Sequence, residues 1–202
     1  MKINQPGVQG FIEQLLLFFQ PLLDLQPFLE KSKVCRSCNL EEKKNLRWLL
    51  PLQIFDTKNL EFSSLQEYFN WYLSPKESQV CTLCFDTQMQ IFLNFKKIPN
   101  FLIIEFVTDN ELNLQRNFIF NQTLVNEDTE SKFELVATIN RPTENHFNCS
   151  IYQPKPLCQD ALEGWMLHDG LKNNGMLLEV HDFNELWKQN PIILFYKKTI
   201  KL

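Results

Sequence analysis

Two Cys-x-x-Cys knuckles, Cys35-Arg-Ser-Cys38 and Cys81-Thr-Leu-Cys84, restrict the folds open to this chain more than any other feature. Zinc takes four ligands in a tetrahedron with sulfur at about 2.3 Å, and a two-residue spacer lets both thiolates of a knuckle face one ion. Two knuckles together close a structural site and leave no coordination position open for catalysis. The same four cysteines could instead form disulfides or stay as unbound thiols; zinc is the reading that the paired spacing favours. Residues 39–80 separate the knuckles, far more chain than a small zinc finger needs. The spacer suggests a β-rich extension whose base and tip are clamped by one ion.

Composition sets the class. With 202 residues, 44% hydrophobic and 22% charged, the chain has length for one sizeable core with no need of staples, as one domain or one domain with a sub-lobe. A net charge of −4 without a long Lys/Arg run argues against nucleic acid as a partner, and against a membrane surface. The apolar stretch from Phe11 to Leu29 is interrupted by Glu13, Gln14, Gln20, Pro21, Asp24, Gln26 and Pro27, so it reads as a buried helix broken at proline and not as a membrane span. Met1 to Gly10 lacks the basic region and cleavage site of a secretory signal, which together with reduced cysteines suggests an intracellular setting, cytoplasm or nucleus. The sequons Asn121-Gln-Thr123 and Asn148-Cys-Ser150 carry little weight in an Asn-rich chain.

Periodicity places helix first and strands afterwards. Val8 to Leu25 has the dense apolar spacing of a core-facing helix, ended or kinked at Pro21; Leu46 to Phe55 reads as extended, and Ser63 to Tyr72 as a short helix capped by Ser63 or Ser64. Strands are predicted at Gln88–Phe95, Phe101–Val107, Phe133–Ile139, Phe147–Ile151, Trp165–Leu167 and Ile192–Tyr196, with polar loops at Asp109–Leu114, Asn126–Ser131 and Leu171–Asn174. The second half therefore reads as one antiparallel sheet following a helical and zinc-bearing first half, an α+β arrangement.

Any chemistry should lie at His146 and Asp169. If Phe147–Gln153 runs out and Gly164–Asp169 returns antiparallel, joined by the Pro154–Glu163 loop, the start of one strand meets the end of the other. A carboxylate that accepts from an imidazole N–H orients the ring as a general base for a Ser or Cys nucleophile. The bland alternative is a surface pair or two satisfied loop residues.

The order of segments resembles the second half of a ubiquitin-specific peptidase domain, a papain-like cysteine protease fold. Cys35, Cys38, Cys81 and Cys84 match the zinc ribbon of its fingers; Leu50-Pro-Leu52, Phe62-Ser-Ser-Leu65 and Tyr68-Phe69 resemble its following strand and helix. Ile98-Pro-Asn-Phe-Leu-Ile-Ile-Glu-Phe106 is similar to a family strand that ends in Arg-Phe, and Phe133-Glu-Leu-Val-Ala-Thr-Ile139 to the strand before the catalytic histidine. Asn145-His146-Phe147 resembles the Gly-His-Tyr motif, and Trp165-Met-Leu-His-Asp169 the segment whose acid orients that histidine.

What the resemblance implies is a palm with an antiparallel sheet, residues 101–202, carrying His146 and Asp169; a zinc-ribbon fingers region, 31–100; and a helical segment, 8–30. The family's N-terminal thumb with its nucleophile box has no counterpart in this sequence, so residues 1–202 read as a single partial peptidase domain. Cys149 and Cys158 are poorly placed to attack a carbonyl. Asn145 stands where the family has glycine, and Gly170 where it has a second acid; such changes occur in divergent branches, including the SUMO-directed one. The implied activity is isopeptide hydrolysis removing ubiquitin or a ubiquitin-like modifier, with structural zinc, and the isolated chain is expected to be inactive. The alternative is a catalytically dead, zinc-stabilised ubiquitin- or SUMO-binding or adaptor module.

Overall fold

The computed structural model describes residues 29–45, 49–53, 62–87, 89–107, 119–143, 145–154 and 164–199. The predicted helix at Val8–Leu25, the loop at Asp109–Leu114 and Cys158 lie outside them. Two sheets are formed. The smaller has four strands: β1 (Leu29–Cys35), β2 (Glu41–Asn45), β4 (Lys76–Gln79) and β5 (Met89–Phe95), in the order β2-β1-β5-β4, all antiparallel. Its register pairs Cys35 with Met89 and Val34 with Glu41, so the two knuckles occupy the turns at the same end of the sheet. That corrects the expectation of one ion clamping base and tip: the metal ligands sit at the tip alone.

The long spacer has another explanation. Between the knuckles the chain leaves the small sheet to form β3 (Leu49–Gln53) and α1 (Leu65–Leu73), which serve the large sheet. That sheet contains β3, β6 (Phe101–Val107), β8 (Ser131–Thr143), β9 (His146–Gln153), β10 (Gly164–His168), β11 (Leu177–Val180) and β12 (Pro191–Thr199), in the order β11-β10-β9-β8-β12-β6-β3, with β7 (Thr123–Asn126) added on β8. Strands of the second half pair antiparallel with one another as expected, but β3, from the first half, joins them parallel to β6, so the sheet as a whole is mixed. A strand and its parallel partner need a crossover connection, here the stretch containing α1, β4 and β5. A short helix, α2 (Asn184–Lys188), precedes β12.

The core lies between α1 and the large sheet. Leu65, Tyr68 and Phe69 of α1 meet Leu102 and Ile104 of β6, Phe133 and Leu135 of β8, and Leu194 and Tyr196 of β12, all buried. Ser64 caps α1 by accepting from the Glu67 N–H, while the Glu67 carboxylate accepts from the Ser63 N–H at 2.7 Å. Two N-terminal donors are thereby satisfied.

A bulge in β8 decides what faces this core near its far end. Tyr196 pairs with Leu135 but Phe195 with Ala137, leaving Val136 extra. Strict alternation from Phe133 would bring Ala137 and Ile139 inside; instead the inner face changes parity and buries Thr138 and Asn140. The strand is apolar inside at one end and polar inside at the other.

Candidate metal centre and histidine-aspartate site

The two knuckles are built alike. In each, the first cysteine's N–H donates five residues ahead, Cys35 to the Leu40 carbonyl at 2.9 Å and Cys81 to the Asp86 carbonyl at 2.7 Å. In each, the residue after the second cysteine takes a positive φ, Asn39 at 56° and Phe85 at 61°. The turns curl their sulfurs together: Cys35 Sγ lies 3.5 Å from Cys84 Sγ and Cys38 Sγ 3.6 Å from Cys81 Sγ, and all four ligand atoms fall within 4.8 Å of one another. Four sulfurs at about 2.3 Å from one zinc stand about 3.8 Å apart, so the set fits that ion with small adjustment. The Leu83 N–H points at Cys81 Sγ from 3.4 Å. A backbone N–H from Cys84 is the main cause that brings the Cys81 thiol down to about 7, whereas burial and the neighbouring sulfurs push Cys38 up and Cys84 up to about 12, so without a cation the cluster favours one thiolate and a metal must displace the remaining protons. Ser37 Oγ donates to the Asp86 carboxylate and ties one knuckle to the other.

His146 and Asp169 meet at the ends of two neighbouring strands of the large sheet, β9 and β10. β9 and β10 pair antiparallel with Cys149 opposite His168, which brings the first residue of β9 beside the residue following β10. His146 Nε2 lies 2.8 Å from Asp169 Oδ2. The carboxylate is buried, at 2% exposure; the imidazole is 17% exposed. The Leu171 N–H also donates to Asp169 Oδ1 at 3.1 Å, and Lys172 Nζ stands 3.7 Å from Oδ2. The hydrogen bond from His146 above all holds the Asp169 carboxyl below its ordinary range against the opposing effect of burial, with Leu171 and Lys172 adding to it. An ionised carboxylate only accepts, so Nε2 carries a proton, and in the neutral ring the lone pair is on Nδ1. That is the arrangement of an oriented base.

Alternation along the strand already puts Asn148 and Ser150 on the face of His146; sequence reasoning missed Thr138, Asn140 and Gln189 behind them. His146, Asn148 and Ser150 share one face of β9. Asn140 Nδ2 donates to Asn148 Oδ1 at 2.8 Å and to Ser150 Oγ at 3.2 Å, and Thr138 Oγ1 donates to Asn140 Oδ1 at 2.7 Å. Asn148 Nδ2 in turn donates to Gln189 Oε1 at 3.2 Å. Thr138, Asn140, Asn148 and Ser150 are buried. The available signal was two asparagines inside segments that otherwise read as strand, since asparagine is depleted there.

Cys149 faces away from His146 on the other side of β9, opposite Ile139 and His168, and burial pushes its thiol up. Among the described residues no cysteine adjoins His146, since the other four lie at the knuckles. The sequons are also engaged: Asn148 is buried in the ladder, and Asn121 Oδ1 accepts from the Gln66 N–H at 2.9 Å. Among the described residues no helix is long and apolar enough to cross a membrane.

Among the described residues a mostly β architecture, with few helices and a four-cysteine cluster at the end of a separate small sheet, is consistent with a ubiquitin-specific-peptidase-like fold. No family model and no curated protein matches the chain. Solved structures do. The Ubp8-Sgf11-Sgf73-Sus1 SAGA DUB module matches over 98% of this chain and 50% of its own, with a TM-score of 0.66 and 16% identity. A SAGA DUB module bound to monoubiquitin matches over 96% and 48%, at 0.63 and 17% identity. Another, bound to ubiquitin aldehyde, matches over 96% and 48%, at 0.61 and 17%. The likeness is one of fold. This chain spans about half the length of the chains it matches.

Proposed function

We propose that this chain is the fingers and palm of a ubiquitin-specific-type cysteine peptidase, which removes ubiquitin or a ubiquitin-like modifier by isopeptide hydrolysis. The observation that carries the reading is the 2.8 Å contact between His146 Nε2 and the buried Asp169 carboxylate on a fold shared with deubiquitinase modules. His146 Nδ1 takes the proton of an attacking thiol and returns it to the leaving amine; Asp169 holds the ring and favours its protonated form. The thiol itself must come from outside the described residues, because the described cysteines are at the knuckles or on the wrong face of β9. Zinc at Cys35, Cys38, Cys81 and Cys84 fixes the tip of the small sheet and takes no part in the chemistry. Reduced thiols suit an intracellular compartment.

The same absence of a neighbouring thiol favours a second reading, a non-catalytic module of this fold that binds the modifier. Both are tested by giving the chain fluorogenic ubiquitin and SUMO conjugates and by titrating it with each free modifier. Binding without turnover supports the fold-based role and the missing thiol. Turnover that disappears on Cys149→Ser or Cys158→Ser would show that the thiols are misassigned, and no binding to either modifier would overturn both readings.

A further inference from the structure

We propose that Asn148 and Gln189 are positioning residues that set the place of His146, acting as a latch between β9 and the segment that follows α2. The inference rests on the reading of His146 as a base, and it starts from where that residue sits. The pairing of β8 with β9 is irregular between Asn140 and Thr143, so His146, opposite Thr143, stands beyond a break in the ladder. Hairpin ends with an interrupted ladder open more readily than the strands behind them.

Residues 189 and 190 bridge that break. The Arg141 N–H donates to the Asn190 carbonyl and Asn190 Nδ2 donates to the Arg141 carbonyl, both at 2.9 Å, which ties down β8 where its register with β9 is irregular. Asn190 has a φ of 60°, the conformation that lets its backbone and side chain both reach Arg141. One residue earlier, Gln189 Oε1 accepts from Asn148 Nδ2 and so reaches β9 two residues from His146 and on the same face. Asn148 cannot turn away, because its Oδ1 is held by Asn140 Nδ2. The supporting segment is anchored in turn by Trp187, stacked on Phe120 with ring centroids 4.0 Å apart. The latch thus runs from a fixed aromatic stack through Gln189 and Asn148 to the strand carrying the imidazole.

The chemistry of the contact dictates the test. Gln189 is only an acceptor toward Asn148, so Gln189→Glu keeps the bond and Gln189→Met removes it without changing side-chain length much. Asn148→Leu removes the donor from the other side, cannot be rescued by rotation of the Gln189 amide, and serves as the independent variant. The readout is nitrogen NMR of the His146 ring in the full chain, following the tautomer and the exchange of Nε2–H with water. In Gln189→Met and Asn148→Leu, Nε2–H should exchange roughly tenfold faster, as loss of one hydrogen bond implies, with the melting temperature of the large sheet lowered by no more than the few degrees that such a loss implies. Gln189→Glu should restore the original rate. Unchanged exchange in Gln189→Met and Asn148→Leu, or a Gln189→Glu variant that behaves like Gln189→Met, would overturn the latch. Neither thiol nor substrate enters this measurement, so a failed peptidase assay leaves its outcome intact.

Discussion

Replacing Cys81 by Ser weighs the metal against everything else that holds the small sheet. The outer strands β2 and β4 read Glu-Glu-Lys-Lys-Asn and Lys-Glu-Ser-Gln, with no apolar stripe to bury. The apolar burial of β1 and β5 comes from Leu29, Met89, Ile91 and Leu93, each of the kind worth about 1.5–3 kcal/mol. Every residue ordered in the four strands costs about 1–2 kcal/mol of backbone entropy, so this sheet cannot rest on its apolar contacts. A closed zinc site contributes about 10–16 kcal/mol in small zinc domains, as much as the whole stability of an ordinary domain, about 5–15 kcal/mol. The sulfur contacts of 3.5 and 3.6 Å match a tetrahedron closely enough for that energy to be available. Hydrogen exchange followed by mass spectrometry is the assay, alongside elemental analysis. The wild type should hold one zinc per chain. In Cys81→Ser, or under excess chelator, amide protection in residues 29–35, 41–45, 76–79 and 89–95 should fall by about a hundredfold or more, while β6, β8 and β12 keep theirs. Protection of the small sheet that survives in metal-free protein, or a folded wild type without zinc, would refute the reasoning.

Asp169 gives a pH dependence whose sign is fixed by the direction of its shift. Its folded value lies below the ordinary 3.8, so its contribution to stability is complete above that value and is lost as pH falls through the lower folded one. The stability of the wild type minus that of Asp169→Asn, from urea melts, should shrink between about pH 5 and pH 2; a difference that stays constant over this window would show that the hydrogen bond from His146 does not stabilise the ion. Tyr196 is fully buried and its hydroxyl donates to the Asn121 carbonyl at 2.6 Å, so Tyr196→Phe leaves an unsatisfied acceptor at about 1–3 kcal/mol. Calorimetry should show a melting temperature lowered by roughly 2–4 °C per kcal/mol for a chain of this size, and an unchanged value would contradict the burial. Phe85 is 77% exposed yet holds a φ of 61°, a conformation that costs a bulky side chain about 1–2 kcal/mol. Phe85→Gly should therefore make the fingertip harder to strip with chelator; easier stripping would mean that the ring is packing against the knuckle.

The parts of the site legible in the sequence are those whose chemistry is local. Cysteines two residues apart must face the same way whatever surrounds them, and a hairpin of two apolar segments brings its open ends together, which is why the neighbourhood of His146 and Asp169 could be read from register alone. The strands β2 and β4 were invisible, because a polar segment held by a metal and by its neighbours carries no apolar alternation. The parallel pairing of β3 with β6 was equally hidden: nothing in Leu49–Gln53 itself records which edge of which sheet it joins. The bulge at Val136 defeated the period-2 rule, since Ala137 and Ile139 look like the inward residues and Thr138 and Asn140 take their place.

That exchange has a physical meaning. Phe133 and Leu135 show that β8 is able to fill the inner face with apolar side chains, and Ile139 was at hand to continue them. Buried polar side chains are at best neutral compared with apolar ones of the same shape, even when every bond is made. Here the bulge turns Thr138 and Asn140 inward only at the end of the sheet where His146 stands, and the ladder they begin runs through Asn148, two residues along the same face, to Gln189. An apolar surface in that place would pack equally well, but it offers no directional bond to fix a strand beside a broken ladder. Hydrogen bonds do, because they fail within a few tenths of an ångström. On the proposed reading of His146 as a base, the polar end of the core is better explained by the precision that one imidazole would require than by the stability of the fold.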